Sequence, residues 1–333
     1  MQNEFQPEKM GPAARRALWG IGIYIFIIGL IFYASTKIVL TKQESQEIFQ
    51  TVQWSWVFAG WGFMCSALWA LGYRWRALLP SDKKTSGSFL GASLCSGLLL
   101  NYAIPGPFGE LGSAWLVHKR YDIPMSTSLT GGMVARLLGL ATAALAVVVI
   151  WVAVDLQIDA ELWIFFQVSV VAVLGGFCLL VALMMFPQKW IRLLESKSSN
   201  KITNGLLSML NSVAQLNSVG QWGAAILWSI IGHLLAYIGI VFALWGVVGS
   251  VSLVGVAFTY AVGTCLGAVA FLFPGSQVTW DAMFAGLLVF TVGLTPVAAG
   301  VSTLVLRVAQ LCMMSVGAVA LPILYNSIQS EVS

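Results

Sequence analysis

Hydrophobic and polar positions in this chain fall into long blocks, without the short alternations of a water-soluble fold. Six apolar runs approach or exceed the roughly 20 residues that a helix needs to cross a hydrocarbon core of about 30 Å. They are Ala17 to Leu40, Trp54 to Leu71, Ser126 to Val154, Leu162 to Phe186, Gln221 to Val248 and Pro296 to Leu324. Two further apolar stretches, Ser88 to Val117 and Val251 to Gly293, are each interrupted near the middle by proline and glycine. The pattern predicts an all-α polytopic membrane protein, a single transmembrane domain over residues 1–333. Its first half covers 1–186, with a broken stretch at about 88–118, and its second half covers 221–333, with a broken stretch at about 251–293. Residues 187–220 form the one polar linker, and the spacing of Leu206, Leu210 and Val213 predicts an amphipathic helix lying on the inner surface.

Composition narrows the class of function. Of 333 residues, 59% are hydrophobic and 9% charged, whereas soluble domains carry roughly a quarter charged residues. A cytosolic enzyme, a nucleic-acid-binding module and a secreted disulfide scaffold are excluded. The run from Ala17 to Leu40 follows Arg15 and Arg16 and ends without a small-x-small cleavage site, so it is expected to span and not to be removed as a signal peptide. Cys65, Cys95, Cys178, Cys265 and Cys312 are each isolated in apolar sequence and read as small buried hydrophobes. His118 and His233 are the only histidines. No metal site, cofactor or catalytic set emerges from this inventory, and the chain is expected not to be an enzyme.

The basic residues set the topology. If Ser88 to Ile104 crossed the membrane completely, every later segment would invert and Lys189, Arg192, Lys197 and Lys201 would face outside, against the positive-inside rule. If the stretch enters from the cytoplasm, turns at Pro105 to Gly109 and returns by Lys119 and Arg120, the count becomes lopsided. Thirteen of the seventeen Lys and Arg then lie inside, Arg74 and Arg76 among them, only Lys37 and Lys42 lie outside, and two remain in the membrane. The returning arm, Phe108 to His118, rises only about 16 Å as a helix, half the hydrocarbon thickness. About six spanning helices and two opposed re-entrant helical hairpins are expected, in a cytoplasmic (inner) membrane protein with both termini cytoplasmic.

An internal repeat runs through this layout. The first tip reads PGPFGE, Pro105 to Glu110, and the next long helix carries Arg136; the second reads PGSQVTWD, Pro274 to Asp281, and the next long helix carries Arg307. Both carboxylate-to-arginine separations are 26 residues (136 minus 110 and 307 minus 281). Pro124 and Pro296 stand at the helix entrances, where the missing N–H is harmless. With a rise of about 1.5 Å per residue, Arg136 and Glu110 lie about 18 and 14 Å in from the inner face, and Arg307 about 17 Å in from the outer. Inverted repeats, broken helices and a midplane site are the construction of many secondary transporters.

The segment from Asn101 to Leu140, with NYAIPGPFGE, the basic HKR turn, the proline entrance and ARLLGL, resembles the flippase-like transmembrane domain related to the N-terminal part of lysylphosphatidylglycerol synthases. PGSQVTWDAMFAGLL followed by LVLRVAQL is similar to that family's second motif. The resemblance implies a stand-alone flippase-like membrane protein without the soluble aminoacyl-transferase domain. Where that family often carries charge, this chain has Pro107, Ser113, Ala135 and Gly139; Gln277 and Val278 stand in place of glycines, and Asp281 in place of glutamate.

Ionised groups at a bilayer centre cost a few kcal/mol or more, and persist when paired, hydrated or useful. Glu110 with Arg136 and Asp281 with Arg307 are the natural pairs, either locking the hairpin tips to long helices or binding and gating an anionic head group. Pro105, Gly106, Gly109, Pro274 and Gly275 let the backbone turn. Asn101 either caps the tip or meets a head group. His233 reads as a hydrogen-bonded packing residue, Lys119 and Arg120 as positive-inside anchors, and Trp54, Trp56, Trp75, Trp151 and Trp163 as an aromatic belt. The leading expectation is a flippase-like transporter that moves an anionic phospholipid or polyprenyl-linked lipid between leaflets. The alternatives are a non-transporting scaffold subunit of an envelope lipid or glycan pathway and a membrane enzyme acting on a lipid head group. Expected partners are the membrane lipid itself, and a homo-oligomer or an envelope-pathway enzyme; nucleic acid is not among them.

Overall fold

The computed structural model describes residues 43–103, 108–154, 219–270 and 276–327, with isolated positions between 164 and 211. The expected spans at Ala17 to Leu40 and, apart from isolated helical positions, Leu162 to Phe186 lie outside the described residues. So do most of the 187–220 linker, Trp163, and the tip residues Pro105, Gly106, Pro274 and Gly275.

The described residues are helical, without strands. In chain order they form α1 (Gln43–Thr51), α2 (Trp54–Ala77), α3 (Gly87–Ala103), α4 (Phe108–Tyr121), α5 (Met125–Ala153), α6 (Val219–Val248), α7 (Leu253–Ala270), α8 (Ser276–Leu287) and α9 (Pro296–Ser327). Four stretches, Trp54–Ala77, Met125–Ala153, Val219–Val248 and Pro296–Leu324, are long and apolar enough to cross a membrane. Their outward faces carry Phe58, Leu145, Val152, Leu227, Val319 and Ile323 in exposed positions. A water-soluble bundle would place charge there, so these faces suit a lipid environment and the chain is an integral membrane protein.

The broadest helix–helix contact joins α2 to α6. They run antiparallel: Gly60 meets Gly239 and Ala243, Met64 meets Gly239, and Val57 meets Gly246. Small residues permit this approach, because hydrocarbon gives apolar side chains no incentive to associate and close packing must do so instead. A Cβ on Gly239 would stand 2.7 Å from the Gly60 carbonyl oxygen, and one on Gly60 2.9 Å from the Ala243 nitrogen. Tyr73 stacks on Trp228 at 4.8 Å between ring centroids farther along the same seam.

Two pairs of shorter apolar helices occupy the places of the broken stretches. In α3–α4 the contacts run antiparallel: Ser113 Oγ donates to Ser93 O at 2.9 Å, the Ser86 N–H donates to Tyr121 Oη at 3.0 Å, and the Gly109 N–H donates to Asn101 Oδ1 at 2.6 Å. In α7–α8 the Trp280 indole N–H donates to Gly263 O at 3.1 Å and Thr291 bonds back toward Gly255 and Thr259. α8 ends in a π-helical turn, Leu288–Val292, that Gly293 closes with φ of 78°. Only a residue without a Cβ takes that conformation at no steric cost. α4 passes into α5 through Asp122 and Ile123, where the His118 ring pairs with Ile123 O at 2.8 Å.

The largest buried cluster gathers Met64, Leu68, Leu244, Phe284, Leu288 and Leu306 from α2, α6, α8, the π turn and α9, so both halves of the chain share one core. Two readings from sequence change here. Trp75 is 2% exposed and donates its indole N–H to Ser128 O at 3.2 Å, so it packs inside while Trp54, Trp56 and Trp151 stay exposed. Cys95 and Cys265 are buried, but Cys178 and Cys312 are exposed, which a thiol tolerates on an apolar face.

Candidate functional site

Each antiparallel pair carries a carboxylate on its second helix, and each carboxylate meets the arginine 26 residues farther on. Glu110 lies two residues into α4 and pairs through Oε1 with Arg136 Nη1 on α5. Asn101, near the end of α3, holds the geometry from the other side. Its Oδ1 accepts from the Gly109 N–H, and its Nδ2 donates to Glu110 Oε2 at 3.2 Å. One amide therefore satisfies a free N–H of the first turn of α4 and orients the carboxylate that follows it. A Cβ on Gly109 would sit 2.6 Å from Asn101 Cγ, so this contact requires glycine.

The second pair is tighter. Arg307 Nε donates to both Asp281 oxygens, at 3.0 and 3.1 Å, Nη2 reaches Oδ1 as well, and Nη1 donates to Gln310 Oε1 at 3.0 Å. The guanidinium also lies 5.1 Å from the centroid of Trp280, within cation–π range. Trp280 in turn stacks on Phe284 at 4.7 Å. The Arg307 side chain is 5% exposed against 41% for Arg136, so the two pairs differ in how far they are closed off.

Both arginines line one cavity of about 380 Å³ among α2, α3, α5, α6, α7, α8 and α9. Its lining also includes Asn101, Gln310, His233 and Tyr260, with Leu, Met and Ala side chains making up most of the rest and no carboxylate among the described residues. Glu110 instead lines a smaller adjoining cavity of about 180 Å³. The larger cavity is thus lined by the arginines without their carboxylates, while the smaller one brings Glu110 together with Arg74 and Arg136. The expected site residues Asn101, Arg136 and Arg307 come together at this cavity, with Glu110 and Asp281 one contact back; Gly109 supports Asn101, and the other tip residues lie outside the described set.

His233, alone on its helix in sequence, finds partners across the bundle. Its Nδ1 lies 2.8 Å from Tyr260 Oη and its Nε2 2.9 Å from Gly139 O. A neutral imidazole satisfies both, with Nε2–H donating to the carbonyl and Nδ1 accepting from the phenol. Beyond this pair lies a groove of about 430 Å³ lined almost wholly by apolar residues of α5, α6 and α7, which shares His233 and Tyr260 with the charged cavity.

A third arginine in the cavity was not anticipated. Arg74 sits near the end of α2, where the sequence groups it with the positive anchors at the membrane surface. Helical side chains tilt toward the helix N-terminus, and here that direction leads into the bundle. The residue is 8% exposed, its guanidinium faces Gly139, and its Nε is enclosed without a hydrogen-bond partner among the described residues.

A family model described as the Lysylphosphatidylglycerol synthase TM region matches residues 18–318. No match emerges among curated proteins or among solved structures.

Proposed function

The chain belongs to the lysylphosphatidylglycerol synthase transmembrane-region family, which points to a role with membrane lipids, and on that premise we propose that it carries a lipid with an anionic head group between leaflets. The observation that supports this reading most is that Arg136 and Arg307, held by opposite halves of the chain, line the same cavity, which neither Glu110 nor Asp281 lines. A phosphate entering the cavity would meet guanidinium forks suited to bidentate contact. When the cavity is empty, Glu110 and Asp281 neutralise the arginines, which keeps the cost of charge inside the membrane tolerable. The apolar groove beside His233 and Tyr260 offers space for an acyl chain next to the head group.

In this reading α3–α4 and α7–α8 are re-entrant hairpins, opening from the cytoplasm and from outside respectively. With them, six spans would cross an inner membrane and both termini would lie in the cytoplasm. Alternating exposure of the two pairs would give the head group access from each side in turn. The protein would act as a carrier and not as an enzyme, with Asn101, Glu110, Arg136, Asp281 and Arg307 forming the gate.

The test is a leaflet-exchange assay in proteoliposomes with a fluorescent anionic phospholipid and a membrane-impermeant quencher. The expected result is protein-dependent loss of inner-leaflet fluorescence that Arg136→Ala and Arg307→Ala each suppress. Exchange no faster than in protein-free vesicles, or unchanged in both variants, would overturn the proposal.

A further inference from the structure

Counting charge around the cavity leaves a remainder. Among the described residues three guanidiniums, Arg74, Arg136 and Arg307, line it and two carboxylates, Glu110 and Asp281, pair with the last two, which leaves one positive charge on Arg74 in that set. An arginine in a protein does not give up its proton, so this charge persists. No hydrogen bond or ion pair engages its guanidinium among the described residues, and Arg136 adds like charge nearby. Fold stability alone gives no reason to enclose such a group, because an unpaired buried ion is strongly unfavourable.

The space in front of Arg74 has a definite shape. Gly139 on α5 stands opposite, and a Cβ there would lie 3.2 Å from Arg74 Cζ and 3.4 Å from Nη2, with Nη1 closer still. Any other residue would press on the guanidinium. The Gly139 carbonyl is already occupied by His233, so it is not free to accept from Arg74 as well at full strength. Counting from Pro124, Gly139 lies 15 residues along α5 (139 minus 124), about 22 Å at the helical rise. The unpaired charge therefore sits deep in the bundle, at the level of Arg136 and beside the apolar groove.

We propose that Arg74, facing the bare Cα of Gly139, binds the phosphodiester of one lipid head group with a net charge of −1. One unmatched positive charge calls for one net negative charge. The guanidinium fork fits the two unesterified oxygens of a phosphodiester, and the cavity volume of about 380 Å³ falls in the range of about 300–1,000 Å³ usual for ligand pockets. The lipid's tail would leave past His233 and Tyr260. This assignment rests on the lipid-carrier reading for its purpose, but binding can be measured without transport.

The full chain, purified and delipidated in detergent, is titrated separately with phosphatidylglycerol, phosphatidylcholine and inorganic phosphate. Native mass spectrometry counts bound molecules, and thermal unfolding reports ligand-induced stabilisation. One phosphatidylglycerol is expected to bind and to raise the unfolding temperature, with phosphatidylcholine and inorganic phosphate weaker by about tenfold or more, the factor carried by one charge-assisted contact. Arg74→Gln should lose that binding while unfolding no earlier than the wild type without lipid. Gly139→Asp should lose it too, because the new carboxylate would occupy Arg74 internally. Phosphatidylglycerol binding as tight in both variants as in the wild type overturns the site, and inorganic phosphate binding as tightly as phosphatidylglycerol overturns the lipid assignment. Failure of leaflet exchange with Arg74-dependent binding intact would overturn the carrier reading alone; exchange that depends on Arg136 and Arg307 but a binding step indifferent to Arg74 would overturn this site alone.

Discussion

Removing each paired carboxylate should expose how unequal the two ion pairs are. Asp281→Ala takes from Arg307 both carboxylate contacts while Gln310 and the Trp280 face stay in place, and the arginine side chain is 5% exposed. Breaking a buried pair by deleting one member costs about 3–5 kcal/mol. Asp281 itself is 30% exposed, so solvent or cavity water offsets part of this, and a loss of about 3 kcal/mol is expected. In Glu110→Ala the surviving Arg136 is 41% exposed and can rehydrate, so the loss should be about 1 kcal/mol, of which part is the Asn101 contact. The double variant Asp281→Ala/Arg307→Met should recover much of the first loss, since no orphaned charge remains. Tryptophan fluorescence during thermal unfolding in detergent reads all four proteins. Equal destabilisation by Asp281→Ala and Glu110→Ala, or no recovery in the double variant, would refute the reasoning.

Three further outcomes follow from packing. Gly239→Leu should prevent α2 and α6 from closing, because its Cβ alone would meet the Gly60 carbonyl at 2.7 Å, whereas Gly62→Ala, with nothing within 4 Å, should be neutral; size-exclusion profiles in detergent distinguish them. Asn101→Ala should cost about 1–2 kcal/mol in thermal unfolding, since the Gly109 N–H loses its acceptor and Glu110 a donor. His233→Leu should cost about 1–3 kcal/mol by stranding the Tyr260 hydroxyl and removing the second donor to the Gly139 carbonyl, and His233→Gln, which keeps a donor and an acceptor, should cost less; denaturant or thermal midpoints decide the order.

The sequence carried the geometry of the ion pairs because depth in a membrane helix follows from residue count. Glu110 and Arg136 lie on consecutive elements joined by a short turn, and so do Asp281 and Arg307. Equal spacing at two tips therefore translated into two carboxylate–arginine contacts, though of unequal closeness and exposure. Arg74 was misread for the complementary reason. The rise per residue locates a Cα, but the guanidinium lies a full side-chain length from it, and the tilt of side chains toward the N-terminus decides whether that length leads out of the membrane or into the bundle. Trp75, its neighbour, went the same way and is buried against α5. The partners of His233 were invisible because Tyr260 and Gly139 lie 27 and 94 residues away on other helices.

The Gly60–Gly239 seam sets what can move. It fastens a helix of the first half directly to a helix of the second, backbone nearly touching backbone, and interlocked surfaces of that kind slide or separate only by losing most of their contact. A clamshell motion with its opening along this line is therefore disfavoured. The seam is better understood as a keel: it keeps its shape while other contacts change, and a covalent crosslink across the Gly60 and Gly239 positions would constrain the molecule little, because it ties together what packing already holds.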